Sequence, residues 1–208
     1  MQKNKYPGLF IAVEGLDGSG LSTQARLLLN YFRKNGNKAF ATKEPTDNVI
    51  GGLIRGALTG VYRMPPEGLQ LLFTADRTHH LDRQIIPALK RGDIMITDRY
   101  LWSTIAFGGN KLDRDWLLTL HKYVIMPDVT VLLRVPPKVC IERIAQDRFD
   151  FELFEKESEL KKVWRNYKWL ANKFKKEFII VDGVGSTEEI LERIVDKILS
   201  IGKVKKFL

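Results

Sequence analysis

The chain has 208 residues, of which 44% are hydrophobic and 28% charged, a composition that excludes low-complexity and fibrous proteins. Its 34 Lys and Arg residues outnumber 25 Asp and Glu residues, and the resulting net charge of +9 favours anionic partners. A single cysteine, Cys140, excludes an internal disulfide, and we expect it to be a buried apolar residue. No apolar run reaches the roughly 18 residues of a membrane span, so we expect a cytoplasmic protein.

Short apolar runs alternate with helical patterns along the whole chain. In chain order we predict a strand at 9–15, a helix at 22–35, a strand at 39–42, helices at 50–58 and 67–90, a strand at 93–97, a helix at 115–124, a strand at 129–135, helices at 138–145 and 155–174, a strand at 178–181 and a helix at 188–201. Pro87 is expected to kink or end the helix in which it lies. The alternation predicts an α/β fold in which helices cover both faces of a five-stranded parallel sheet, within one domain over 1–208.

Polar residues follow three of the predicted strands, in the segments 14–23, 43–47 and 98–104. The carboxyl ends of parallel strands meet at one edge of a sheet, where ligands of such folds bind. We therefore expect the three segments to form one crevice.

The first of these segments contains Gly-Leu-Asp-Gly-Ser-Gly-Leu-Ser-Thr, from Gly15 to Thr23. A glycine-rich loop between a strand and a helix is typical of the phosphate-binding loop of P-loop NTPases. Glycines let several backbone N–H groups turn towards a phosphate, and the first helical turn adds its positive dipole end. Ser22 is a candidate ligand of Mg²⁺. The predicted phosphate-binding residues are Gly15, Gly18, Ser19, Gly20, Leu21, Ser22 and Thr23.

Leu21 occupies the position at which this loop motif has lysine. That lysine stabilises charge in phosphoryl transfer, and loss of such a donor lowers the rate roughly a hundredfold or more unless another cation replaces it. Lys111, Arg143 and Arg148 are candidate replacements, and the sequence does not choose among them.

Further motifs follow the loop in a fixed order. They are Lys43-Glu44-Pro45-Thr46, Ile54-Arg55, Leu72-Phe73-Thr74-Ala75-Asp76-Arg77, Asp98-Arg99-Tyr100, Ser103-Thr104, Ala106-Phe107-Gly108-Gly109, Pro127-Asp128 and Asp147-Arg148-Phe149. With this order and spacing the chain resembles thymidylate kinase over about 10–182. The resemblance implies a P-loop nucleoside-monophosphate kinase that acts as a homodimer, with ATP, dTMP and Mg²⁺ as its small-molecule partners.

The resemblance also implies roles for individual side chains. Phe73 would stack on thymine, Arg77 would hydrogen-bond its edge, and Thr104 would contact the base. Phe107 would crowd the sugar 2′ position. Arg55 and Arg99 would bind the phosphate of the monophosphate acceptor. Asp17 and Glu44 would contact the sugar and position the arginines, and Asp98 would act on Mg²⁺. Asp17, Arg99, Arg143 and Arg148 form the implied catalytic set, with Arg143 and Arg148 at the start of a short lid at about 144–154.

Two departures from the family pattern leave alternatives open. Leu21 is compatible with a nucleotide-binding pseudoenzyme. Gly108 stands where many members have Gln, and it is compatible with a kinase that has a different or broader deoxynucleotide acceptor. A panel of monophosphates would separate these alternatives. A nucleic-acid binder is the last alternative, since only the positive charge favours it, and a steep salt dependence would mark it.

Overall fold

The computed structural model of the chain describes residues 1–147 and 157–207. Five parallel strands form one sheet in the order β2-β3-β1-β4-β5, which confirms the predicted sheet. The strands are β1 (Leu9–Glu14), β2 (Ala39–Lys43), β3 (Ile94–Asp98), β4 (Val129–Arg134) and β5 (Phe178–Asp182). Their carboxyl ends share one edge because all neighbours are parallel, as in the pairing of Val13 with Asp98 and with Val131.

Helices connect the strands and cover both faces of the sheet. They are α1 (Leu21–Lys34), α2 (Val49–Leu58), α3 (Pro66–His80), α4 (Ile86–Lys90), α5 (Leu101–Gly108), α6 (Arg114–Leu120), α7 (Pro137–Asp147), α8 (Glu157–Lys173) and α9 (Thr187–Ile198). None of the described helices is long and apolar enough to cross a membrane.

Two hydrophobic cores lie on opposite faces of the sheet because successive strand side chains point in opposite directions. Leu9, Ile11 and Val13 of β1 belong to the core that includes α1 and α9. Phe10 and Ala12 belong to the larger core, which includes α4, α5 and α8. The buried strands are therefore apolar on both faces, and polar side chains collect at the strand ends.

The predicted helix at 67–90 differs from the structure around Pro87. The chain stays helical, but a π-helical turn over Leu81–Ile85 separates α3 from α4. Proline has no backbone N–H, so the carbonyl oxygen of residue 83 lacks the helical hydrogen bond that it would receive from position 87. The wider π-helical turn before Pro87 adapts the backbone to this loss. A second difference is α5, which the sequence patterns did not predict. Its residues are nearly all buried, so it has no amphipathic periodicity.

Candidate active site

The phosphate loop lies between β1 and α1 and takes its shape from two glycines. Gly18 and Gly20 have φ angles of 74° and 93°, a left-handed conformation that favours glycine. Gly18 also lies directly against α7, because a Cβ atom there would be 2.4 Å from the carbonyl oxygen of Cys140. The loop backbone and α7 are therefore in direct contact.

The loop forms one wall of a cavity at the start of α1. The predicted phosphate-binding residues that line it are Gly18, Ser19, Gly20, Leu21, Ser22 and Thr23. Asp98, Arg99, Arg143 and residues 185–187, where the chain passes from β5 into α9, also line it. Gly15 is not among the lining residues. Its carbonyl oxygen instead accepts a hydrogen bond of 2.9 Å from Nη1 of Arg99.

Leu21 and Arg143 both line this cavity, but their surroundings differ. Leu21, 5% exposed, belongs to the core beneath the loop, together with Ala25 and Leu28. Nη1 and Nη2 of Arg143 lie 3.5 Å and 3.4 Å from the carbonyl oxygens of Ser19 and Gly183. Arg143 thus brings a guanidinium charge to the loop, and Lys111, in the turn after α5, is not among the lining residues.

Ser22 and Asp98 meet at the same cavity, where the Ser22 hydroxyl donates a short hydrogen bond to Oδ2 of Asp98. The predicted metal ligands are therefore adjacent. A hydroxyl and a carboxylate are hard oxygen donors, and Mg²⁺ in nucleotide kinases takes few protein ligands and completes its shell with phosphates and water. This donor set fits Mg²⁺.

Arg99 lies at the centre of the site, directly after β3. It has a φ of 69°, a conformation that costs energy for a residue with a side chain. Its Nη2 donates to Oδ1 of Asp17, its Nη1 to Oγ of Ser103, and its guanidinium lies 5.2 Å from the ring centre of Phe107. Burial alone would lower the pKa of Arg99, but nearby carboxylates, Asp17 first, raise it, so the group stays positively charged.

A second cavity, of about 130 Å³, lies beside the first. All but one of the predicted dTMP-binding residues line it, namely Asp17, Glu44, Phe73, Arg77, Arg99, Thr104 and Phe107. The exception is Arg55, whose Nη1 donates to the carbonyl oxygens of Pro45 and Thr46 at the rim. Asp17 and Arg99 line both cavities, which makes them the wall between the two.

Arg77 is held in this second cavity by a buried polar network. Its Nε donates to Oε2 of Glu44 at 2.8 Å, its Nη2 to the same oxygen and to the Thr104 hydroxyl, and its Nη1 to Nε2 of His121. Burial and the charge of Arg77 lower the pKa of His121 to about 3, so the imidazole is neutral and accepts this bond. No sequence pattern indicates a role for His121, because only the folded chain brings α6 to α3.

Glu14, the last residue of β1, fixes the start of α5. Its carboxylate accepts hydrogen bonds from the backbone N–H groups of Tyr100 and Ser103 and from the hydroxyls of Ser103 and Tyr167. Burial raises its pKa to about 7, and the hydrogen bonds and Arg99 partly counter this rise. Because Glu14 immediately precedes the phosphate loop, it joins that loop to the helix that carries Thr104 and Phe107.

The structure adds residues that the sequence patterns did not single out. The turn after β5 could have been found from its position at a carboxyl strand end. Gln70 lines the second cavity and lies on the same face of α3 as Phe73 and Arg77, at helical spacing. Arg148, with most of the expected lid segment, lies outside the described residues.

Comparisons with known proteins match the chain along most of its length. The family model described as thymidylate kinase matches residues 13–194. A probable thymidylate kinase of Thermococcus onnurineus is 43% identical over 197 residues, which cover 90% of this chain and 95% of the relative. One of Pyrococcus abyssi is 40% identical (90% and 94% covered), and one of Methanocaldococcus jannaschii is 34% identical (93% and 97% covered). The chain belongs to the thymidylate kinase family.

Proposed function

We propose that this protein transfers the γ-phosphoryl group of ATP to dTMP and so forms dTDP. The observation that carries the proposal is the pair of cavities that share Asp17 and Arg99. Phosphoryl transfer between two anions needs positioning and positive charge rather than covalent chemistry by the protein. Arg99 borders both cavities and keeps its charge, so it can neutralise the transferred group on its way from donor to acceptor.

The second cavity fits the acceptor nucleotide. Phe73 and Phe107 give it apolar walls for a base and a sugar, and Arg77 and Thr104 give it polar groups. Four of the five guanidinium N–H groups of Arg77 bond to Glu44, Thr104 and His121, which among the described residues leaves one on Nη1 for a ligand acceptor. The 4-oxo group of thymine is such an acceptor.

The first cavity fits the triphosphate of the donor. The loop amides and the start of α1 favour phosphate, and residues 185–187 add to the lining of the cavity. Mg²⁺, when held by Ser22 and Asp98, supplies charge neutralisation at the phosphate oxygens. Arg143 is the residue that we assign to the lysine role in the absence of a lysine at position 21.

Two alternatives make different demands on the site. A pseudoenzyme would have no use for Ser22, Asp98, Arg99 and Arg143 around one phosphate cavity. None of the described residues that line the second cavity favours a purine over a pyrimidine acceptor. The proposal includes a role in dTTP biosynthesis and a cytoplasmic location. Residues 1–208 would act as one domain, with a lid at about 144–154.

The proposal extends to a homodimer, as the family resemblance implies. Large apolar side chains on α2 and α3 support it, since Val49, Leu53 and Leu71 are 83%, 47% and 50% exposed. Covering such side chains is favourable in water.

A steady-state assay of ADP formation from Mg·ATP tests the proposal, with dTMP, dUMP, dCMP, dGMP, dAMP and UMP in parallel. We expect turnover with dTMP well above that with the other five. Comparable turnover with several acceptors would replace dTMP with a broader acceptor class. Silence with all six, in a protein that binds ATP or dTMP, would refute catalysis.

A further inference from the structure

The two adjacent histidines at the end of α3 have different surroundings. His79 is exposed, and its Nδ1 lies 3.0 Å from Nδ2 of Asn48. His80 is only 2% exposed, and each of its ring nitrogens lies within hydrogen-bond distance of a different side chain. A buried imidazole with a partner at both nitrogens is held in one orientation.

The first partner of His80 is Glu44, which lines the acceptor cavity. Nδ1 of His80 lies 3.0 Å from Oε1 of Glu44, while Oε2 of Glu44 accepts from Arg77. A carboxylate only accepts hydrogen bonds from these groups, so Nδ1 carries a hydrogen and donates it. Arg77 and His80 thus bind the two oxygens of one carboxylate, and among the described side chains only His80 bonds Oε1.

The second partner of His80 connects it to the edge strand β2. Nε2 of His80 lies 2.8 Å from the hydroxyl oxygen of Thr42, and this hydroxyl also bonds Oε1 of Gln84 at 3.1 Å. Gln84 lies in the π-helical turn that begins directly after His80. Such turns occur frequently at functional sites. The imidazole is therefore fixed between β2 and the carboxylate that follows this strand.

The effect of His80 on the acceptor cavity passes through Glu44. His80 is not among the described residues that line this cavity, whereas Glu44 and Arg77 are. Without the imidazole, Oε1 of Glu44 would lose its donor in a buried environment, which costs free energy and frees the carboxylate to rotate. Because Arg77 donates to the same carboxylate, a rotation of Glu44 would displace both side chains.

We propose that His80 is a positioning residue of the acceptor site. It holds Glu44 in the orientation in which this carboxylate borders the cavity and pairs with Arg77. The inference deepens the proposed function and depends on it. Since His80 does not line the phosphate cavity among the described residues, its removal should weaken binding of the acceptor nucleotide and leave binding of ATP unchanged.

The first test compares substitutions at the two histidines. His80→Phe fills the space without a donor, His80→Asn keeps an amide N–H close to the position of Nδ1, and His79→Phe is the matched surface control. The values of kcat and of KM for dTMP and ATP are measured for each. We expect the KM for dTMP to rise about tenfold or more in His80→Phe and by less than about threefold in the other two variants. The KM for ATP should stay constant in all of them.

A second test restores the donor from solution. His80 and Thr42 line another cavity, of about 800 Å³, so His80→Ala opens the vacated space to small molecules. Imidazole can enter it and donate an N–H group to Glu44, whereas neutral 1-methylimidazole has nearly the same shape and no such donor. At a pH of about 8.5, where both compounds are neutral, we expect only imidazole to lower the raised KM for dTMP. This test decides the matter if His80→Phe does not fold.

The outcomes separate the inference from the function on which it depends. An unchanged KM for dTMP in folded His80→Phe would overturn the inference, and so would an equal rise in the KM for ATP. Equal rescue by the two imidazoles would also overturn it, because His80 would then only fill space. If wild type bound dTMP without turnover, the proposed function would fail, and calorimetric dTMP affinities of the same variants would still test the positioning.

Discussion

The replacement of the loop lysine by Arg143 is the most exacting prediction of the site. Arg143 lines the phosphate cavity from α7, and Leu21 lines it from the first turn of α1. Arg143→Ala removes the guanidinium, and Leu21→Lys places an ammonium where the loop motif has one. If one cation is sufficient, Leu21→Lys should compensate for Arg143→Ala.

The size of the effect follows from what surrounds the cavity. Among the described residues, Arg143 and Arg99 are the only Lys or Arg residues that line it, and Arg99 already bonds Asp17 and Gly15. Removal of one preorganised donor costs about 3–4 kcal/mol of transition-state stabilisation, so kcat should fall about 100- to 1,000-fold in Arg143→Ala. The Leu21→Lys change loses roughly 1–2 kcal/mol of apolar burial, part of which the lysine stem retains.

The assay is a double-mutant cycle on kcat for ADP formation from Mg·ATP and dTMP. We expect Leu21→Lys to raise kcat by at least about tenfold in the Arg143→Ala background and by much less in wild type. Lys138→Ala is the matched control, since Lys138 is a solvent-exposed cation on the same helix, with a side chain 81% exposed. A loss below about threefold in folded Arg143→Ala would refute the assignment.

Two further predictions concern Glu14 and Asp98. The pKa of Glu14 is about 7 in the folded protein, against its usual value of 4.5. As the pH rises from 4.5 to 7, the unfolded chain releases this proton and the folded protein retains it. The free energy of unfolding should therefore fall by about 3 kcal/mol over this range. Denaturant titrations at several pH values should show this component in wild type and not in Glu14→Gln, and equal slopes in both would refute it. Asp98→Asn should raise the Mg²⁺ concentration for half-maximal activity about tenfold with little change in melting temperature, and an unchanged Mg²⁺ dependence would exclude Asp98 as a ligand.

Most of the fold and the phosphate loop could be predicted from the sequence because both are local patterns. Apolar runs such as Leu9–Glu14 identify buried strands, and the polar residues after them identify the ligand edge. The buried helix α5 could not be found this way, since a helix that is apolar all round has no amphipathic period. The π turn before Pro87 was also beyond prediction, because proline limits the helix without fixing how the chain adjusts.

The base pocket was predicted in part for a different reason. Phe73, Arg77 and Thr104 were identified by resemblance, and they do line one cavity. The partners that fix Arg77 come from distant segments, with Glu44 after β2 and His121 after α6, so no local pattern joins them.

The contact between Gly18 and α7 bears on the replacement of the loop lysine by Arg143. A side chain at position 18 would meet the Cys140 carbonyl and Ile144, so it would push α7 away from the loop. Arg143 lies on the same helix, one residue before Ile144, and its reach to Ser19 is already at the limit of a hydrogen bond. A glycine at position 18 is therefore a condition for Arg143 to act at the phosphate cavity, and a protein with leucine at position 21 depends on that glycine more than one with lysine.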